Sequence, residues 1–414
     1  MDQATLVDRH GRPLQSTAPI EAAADNHLTG EEAGWLITSL GGGGPTSAGV
    51  RVSPETAMRV STVFACIELR AGTLKSLPLK LYRRVGEDRA PATDHRLYRM
   101  VHSRPNRWQT MVDWVFMSQA HIDQRGNAYS RKIFNGRGEI LELIPMHPDR
   151  TVVRKTDDGD FFYDYYAANG RVFTGLTSEE VLHHRGPSLD GDMGVSRVTY
   201  AREVIGRDIA ARDYGSRFFA NDARPMVYLK HKKRLSPEAK TRLKSDWKEK
   251  YGGANRHSVA VLEEDLDVAT IGLTNDESQF LETMNFSIPD ICRFFDVPPM
   301  MVGHDGKTAT YASADVMLEM FKTLTMVEIA RAWEQRLNAD LLTEREQETL
   351  YFEFEMAGLE RGSLEARGNY YQQAVGRPWM TADEARRREN MAPISGGNTL
   401  ANPLNMGGAP KETP

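Results

Sequence analysis

Few residues in this chain could do chemistry, and their spacing argues against most reactions. His183 and His184 are adjacent, with Asp190 and Asp192 close behind, residue types that suit a metal ion. Neighbours on a strand project to opposite faces, however, and no spaced carboxylate pair accompanies them. A strand edge leading into the Gly186-Pro187 turn is the better reading. His121 and Asp123 fall at i,i+2 of a helix-patterned stretch, where side chains do not face each other. The run Gly303-His304-Asp305-Gly306-Lys307-Thr308 has the composition of a phosphate loop. Its glycine spacing is wrong, and Pro298-Pro299 stands before it where a strand is needed. The sequence contains no P-loop signature, GxSxG elbow, HExxH or paired zinc cysteines. No catalytic residue, metal or cofactor is therefore expected.

What remains is contact. From Asp296 the chain reads DVPPMMVG, HDGKTATYASAD and VMLEMF. The prolines stop a helix, a short apolar anchor with Met300 and Met301 follows, and a small polar loop leads into a long helix. Apart from Tyr311 the loop has no packing residue, so it is expected to touch a partner. Two dense basic runs stand elsewhere. Arg386-Arg387-Arg388 reads as a solvated helix face, whereas His231-Lys232-Lys233-Arg234 suits a solvated face and a partner or DNA surface equally well.

The elements that position these residues follow from periodicity. Helical spacing marks 58–77, 96–102, 110–124, 196–221, 275–295 and 314–342. Alternation marks strands at 79–84, 128–134, 139–144, 150–155, 161–166, 226–231, 258–262, 268–271 and 350–354, with Asn135-Gly136 supplying a tight turn. The last helices are 363–375 and one opening at Thr381, where Thr381 and Glu384 form a capping-box pattern. On 196–221 the arginines spiral, and Asp208 with Arg212 and Asp213 with Arg217 are acid-first i,i+4 pairs. Between 230 and 250 there are nine Lys/Arg against three Asp/Glu, followed by acidic Glu263, Glu264, Asp265 and Asp267.

Composition sets the limits. The 414 residues are 40% apolar and 26% charged with net charge -5, which argues against a coat of nucleic acid but permits a few contacts. No run approaches a membrane span, and the N-terminus lacks the apolar core of a signal peptide. Cys66 and Cys292 are the only cysteines, so a reduced compartment without a disulfide framework is expected.

The order of segments resembles the portal proteins of tailed double-stranded-DNA bacteriophages, prophages and gene transfer agents. The resemblance runs through STVFACIELRAGTLKSLPLKLYRR, HRLYRMVHSRPNRWQT, RGNAYSRKI with ELIPMHPDRTVV, SRVTYAREVIGRDIAARDYGSRFFANDARP, VAVLEEDLDVATIG, DVPPMMVG and MTADEARRRENMAP. It implies an α+β fold with a mixed wing, long stem helices bracketing a small α/β clip insert, and a helical crown. The implied boundaries are a disordered arm at 1–50, wing at 51–194, stem helices at 195–223 and 275–297, and clip at 224–274. A tunnel loop with anchors follows at 298–313, then 314–358 completing the wing, a crown at 359–394 and a disordered tail at 395–414. The implied function is a ring, typically of twelve subunits, at one capsid vertex of the virion, assembled in the host cytoplasm. Its implied partners are double-stranded DNA in the channel, the terminase large subunit, the major capsid protein and a head–tail adaptor, with no membrane and no catalytic activity of its own. By position, His304, Lys307, Thr308, Thr310 and Tyr311 would line the tunnel. Lys230, Lys232, Lys233 and Arg234 would form the basic clip surface, and Arg202, Arg207, Asp208, Arg212, Asp213 and Arg217 would meet neighbouring subunits. The competing expectation is a nucleic-acid-processing enzyme of a phage or mobile element.

Overall fold

Among the described residues, three three-stranded antiparallel sheets and one two-stranded ribbon, with the helices, make a mixed α+β chain. The computed structural model describes residues 45–86, 88–220, 227–231, 236–237, 241–242, 266–270, 287–304, 311–356, 364–376, 379–389 and 391–400. At 217–220, 227–231, 266–270, 311–315 and 364–367 only the backbone is described. The chain divides into two compact units. One holds Ser53–Tyr200 and the chain from Cys292 onward; the other holds Gly44–Val52 and Ala201–Ile291.

In the larger unit, α1 (Ser61–Ser76) buries Val63, Cys66, Ile67, Ala71 and Leu74. The chain then enters β1 (Leu79–Val85), which pairs with β2 (Asp88–Pro91) and, across most of the sequence, with β11 (Leu350–Phe354). Alternating Leu79, Leu81, Phe352 and Phe354 form the buried face of this sheet. α2 (Arg96–His102) leads to α3 (Met111–Arg125), whose N-terminal amides are satisfied by a Thr110–Asp113 capping box.

The central sheet orders β4 (Ile140–Met146), β3 (Asn127–Phe134) and β8 (Val181–Arg185). A third sheet orders β5 (Thr151–Lys155), β6 (Phe161–Tyr166) and β7 (Val172–Thr177). β3 and β8 of the central sheet are buried on both faces along most of their length, and their register shows how. Tyr129 lies opposite His183, and both join Val153, Tyr163 and Leu176 of the third sheet. Ala128 lies opposite His184 on the other face, toward α3 and α7 (Val327–Leu341). There Trp114 and Trp333 meet edge to face at 5.4 Å, and His184 stacks on Trp333 at 4.1 Å. Each indole N–H has a partner, Ser130 Oγ at 3.0 Å and Gln119 Oε1 at 2.9 Å.

The second face of β8 explains the other histidine. Asn127 Nδ2 donates to Gly194 O, so Asn127 Oδ1 is an acceptor and His183 Nε2 must donate to it at 2.9 Å. His183 Nδ1 then accepts from the Tyr163 hydroxyl at 3.2 Å. The adjacent histidines are thus two core residues on opposite faces, as strand geometry expects, and do not converge on one site.

α7 also closes the edge of β11. The outward N–H groups of Phe352 and Phe354 donate to Asn338 Oδ1 at 2.7 Å and Glu334 Oε1 at 2.8 Å. Two side chains one helical turn apart thereby satisfy an edge that would otherwise pair with another strand.

In the smaller unit, α4 (Arg202–Ala220) receives a turn made by residues 45–50. Composition assigns these residues to the arm, yet Thr46 is buried against Gly206 and the Ser47 amide donates to Glu203 Oε2 at 3.0 Å. β9 (Val227–His231) and β10 (Leu266–Thr270) form the ribbon; the expected strand at 258–262 lies outside the described residues. In the larger unit, after β11, α8 (Leu364–Gly376) precedes α9 (Ala382–Arg388), which opens on the expected Thr381–Glu384 box. Asp383 on α9 accepts from the Ile394 amide and donates its own amide to Gly397 O, so structure continues past the expected boundary at 394.

Gly126 caps α3 at φ 81, and a Cβ there would stand 2.2 Å from Gly194 O. Gly126→Ala is expected to destabilise the chain by at least about 2 kcal/mol in urea unfolding. Gly72→Ala, within α1 with open space at its Cβ, should be neutral or stabilising by about 0.5–1 kcal/mol. Burial also holds His184 down to about 3 and His183 well below the usual imidazole value. Both are neutral when folded and charge on unfolding, so stability is complete above about pH 6.5 and falls toward pH 3. The slope is at most ~1.4 kcal/mol per pH unit for each histidine. His184→Phe should flatten that slope in melts taken across pH 4–7.

Candidate functional site: the anchored Pro-Pro loop

The loop begins at a helix end that would leave carbonyls unsatisfied. α5 (287–295) stops at Phe295, and Asp296 turns the chain with φ 52, the one positive φ at a non-glycine among the described residues. The Val297 amide reaches back to Cys292 O at 3.0 Å, the six-to-one bond of a Schellman ending. Arg197 Nη1 donates to Phe294 O at 2.6 Å, and Arg70 Nη1 donates to Phe295 O at 2.6 Å. Two guanidinium groups therefore sit where the helix dipole is negative.

Asp123 holds these cations in place. Arg70 Nε donates to its two carboxylate oxygens at 3.1 and 3.2 Å, and Arg70 Nη2 lies 3.1 Å from Oδ1. The Asp123 and Arg70 side chains are 0% and 3% exposed. Arg197 Nε lies 3.7 Å from the same carboxylate, while its Nη1 also reaches Asp296 Oδ2 at 2.7 Å. Two acids and two arginines balance in charge, with Arg70 and Asp123 in the core and the Asp296 carboxylate half-exposed at its edge. Arg70 arrives there because it occupies a core-facing position of α1, in line with Ile67 and Leu74. The sequence signal was a charge on the apolar face of each of two helices, but it does not reveal the partner.

Beyond Asp296, Val297 is the fully buried anchor; Met300 and Met301 are half-buried, not core residues as expected. Pro299–Val302 forms one tight turn, closed by Gly303 at φ 80 and by the His304 amide donating to Pro299 O at 3.1 Å. The chain returns as α6 (Tyr311–Met320), which runs through a wide π turn at Phe321–Met326 into α7. Within that turn the Thr325 hydroxyl donates to Asp296 O at 2.7 Å. Departure and return are thus tied at one residue.

Of the expected tunnel residues, His304 is placed by this turn, and Tyr311 opens α6. Lys307, Thr308 and Thr310 lie outside the described residues, as do Lys232, Lys233 and Arg234 of the basic run. Lys230 stands in β9 opposite Asp267. On α4, Asp208 is buried, accepting from Ser287 Oγ at 2.8 Å and pairing with Arg212 Nε at 2.8 Å. Arg207 lies 3.4 Å from Asp290, Arg202 is buried, Asp213 is exposed, and Arg217 is described by backbone alone. Among the described residues no group of three or more His, Cys, Asp or Glu side chains converges. Among the described residues the site offers position and electrostatic closure.

A family model described as Phage portal protein matches residues 61–390. The chain is 29% identical over 382 residues to the probable portal protein of Streptomyces phage phiC31, covering 88% of this chain and 82% of that protein. It is 26% identical over 352 residues to the portal protein of Enterobacteria phage HK97, covering 84% and 82%. In fold it is similar to a chain from the neck of a gene transfer agent particle. The native particle, computed with C12 symmetry, gives TM-score 0.58 at 20% identity, covering 92% of this chain and 97% of that one. The empty particle, computed with C6 symmetry, gives 0.60 at 22% identity, covering 88% and 100%.

Arg70→Met would leave Asp123 buried beside a single, more distant cation. The expected cost is about 3–5 kcal/mol, read as a lower urea midpoint. Arg70→Met combined with Asp123→Leu should recover much of that loss; an equal or larger loss in the double variant would show that packing, not charge, dominates.

Proposed function

Because the chain belongs to the phage portal protein family, whose members are structural and not enzymes, we propose that it is one subunit of a twelve-membered ring. The ring stands at one capsid vertex of a virion, assembles in the host cytoplasm and passes double-stranded DNA in packaging and ejection. Residues 51–194 with 314–358 form the wing. The helices at 195–223 and 275–297 form the stem, 224–274 the clip and 359–394 the crown, with an arm at 1–50 and a tail at 395–414. The C12 symmetry of the similar gene transfer agent neck supports the ring.

The observation that carries the channel assignment is the double anchoring of the Pro-Pro loop. Its entry is held by Arg70 and Arg197, and its return by Thr325. Residues 304–313 of the segment between read HDGKTATYAS: glycine, threonine, serine and alanine with His304, Lys307, Tyr311 and one acid, Asp305. Each firm phosphate contact releases counterions and tightens binding, with a salt slope of roughly -0.9 per contact. Moving DNA needs few such contacts, and one lysine and one aromatic per subunit, beside His304, Thr308 and Thr310, can touch the backbone without gripping it. Lys230, Lys232, Lys233 and Arg234 present the clip surface to the terminase large subunit and then to a head–tail adaptor, while the wing meets the major capsid protein. Of the stem charges, the exposed Asp213, with Arg217, is best suited to a neighbour, because Asp208 and Arg207 have partners within their own chain. The rival reading of a nucleic-acid-processing enzyme loses its histidines, which the core uses on two faces of β8.

Negative-stain microscopy of the purified chain should show rings with a central opening; monomers and small oligomers at every salt concentration would overturn the assignment. Deleting 307–310 should leave rings intact and reduce packaged DNA in particles. Loss of rings in that deletion would make the loop a structural element.

A further inference from the structure

Cys66 and Cys292, 226 residues apart in sequence, are brought together with their sulfurs 3.9 Å apart and both side chains fully buried. Cys66 lies on α1 one turn before Arg70, and Cys292 lies on α5 one turn before Asp296. The sulfur contact therefore sits one helical turn from the arginine that caps α5, and joins the same two elements. The Cys66 S–H donates to the Cys292 sulfur, which holds the Cys292 thiol below its ordinary value and pushes that of Cys66 up. Cys292 is thus the better nucleophile of the two. A disulfide needs sulfurs about 2.05 Å apart. Side-chain torsions therefore have a gap of roughly 2 Å to close.

We propose that Cys66 and Cys292 form a reversible disulfide within one chain when they meet a two-electron oxidant, stapling α1 to the helix that carries the chain into the Pro-Pro loop. With a diazene oxidant such as diamide, the Cys292 thiolate adds to one nitrogen of the N=N bond. The Cys66 sulfur then attacks Cys292, the S–S bond forms and the S–N bond breaks. Each sulfur gives up one electron, and both thiol protons end on the nitrogens of the hydrazine product. The chemistry is independent of the ring assignment; only its use rests on that reading. Subunits folded in a reducing cytoplasm keep both thiols, whereas a released particle meets an oxidising medium in which the loop anchor becomes covalent.

The test is oxidation of the full-length purified chain with diamide in native buffer. Thiol titration in denaturant should fall from two to none, intact mass should drop by two hydrogen atoms, and the chain should run as a monomer on a non-reducing gel. Dithiothreitol should restore both thiols, and Cys66→Ala should block the change. Amide exchange across 292–304 should slow several-fold in the oxidised chain only. Two surviving thiols, reaction only in urea, or cross-linked chains would overturn the disulfide. A disulfide without slower exchange would overturn its role as a staple. Failure to form rings with the disulfide intact would count against the portal reading alone.

Discussion

The buried pairing of Arg70 with Asp123 is the constraint on which the anchor depends. A guanidinium without a counter-charge would not remain in a core position of α1, and a bare carboxylate would not remain on α3. Their pairing leaves Arg70 Nη1 available for Phe295 O, so the same cation that neutralises Asp123 also ends α5. Arg197 repeats this logic from the following segment, linking Asp123, Phe294 O and Asp296. The chain direction at 296 is then decided by electrostatics, before the prolines act. Asp296 is a residue that tolerates positive φ, and its carboxylate gains a partner by adopting it.

The central sheet solves a different problem with adjacent residues. Covered by a sheet on one side and by helices on the other, it must place a side chain in a core at every position of β8. His183 and His184 do this as neutral rings, one hydrogen bonded between Tyr163 and Asn127, the other stacked on Trp333. A leucine pair would fill similar space, but it could not receive the Tyr163 hydroxyl or hold Asn127, which in turn fixes the Gly194 backbone at 2.9 Å. Chemistry-bearing residue types serve packing here, which removes the most reactive-looking pair in the sequence from any site.

Local signals made much of this legible in advance. The strands Phe161–Tyr166 and Leu350–Phe354 and the helix Arg96–His102 have the expected bounds, because an aromatic-rich β-prone run or helical spacing is unbroken there. The Thr381 capping box is local by nature. β2 was not legible: all four of its residues are exposed and one is proline, so it is a strand only because β1 pairs with it. β7 was hidden by Gly175, at φ 67, whose amide is taken by Asp164 where the register with β6 shifts. The helix expected at 314–342 is interrupted by the π turn, whose Thr325 serves a residue 29 positions earlier. Nonlocal partners escaped for the same reason. The sequence places a charge on the apolar face of α1, but its counter-charge is 53 residues away and the carbonyl it caps 225 away.

A loop that must touch a moving polymer faces two opposed demands. Its ends must not shift under load, and its tip must not bind tightly. One set of interactions cannot meet both, since tight polar contacts at the tip would resist sliding and weak ones at the base would let the loop follow the polymer. In this chain the strong charge-assisted bonds lie at the base, where low dielectric strengthens them and they meet only the protein. The lysine and aromatic proposed for the tip are single, and salt would screen any phosphate contact made by the lysine. Buried ion pairs are weak sources of net stability compared with apolar packing, but breaking one is costly. An anchor needs that asymmetry: little is gained by forming it in a folded chain, and much is lost if the loop pulls it apart.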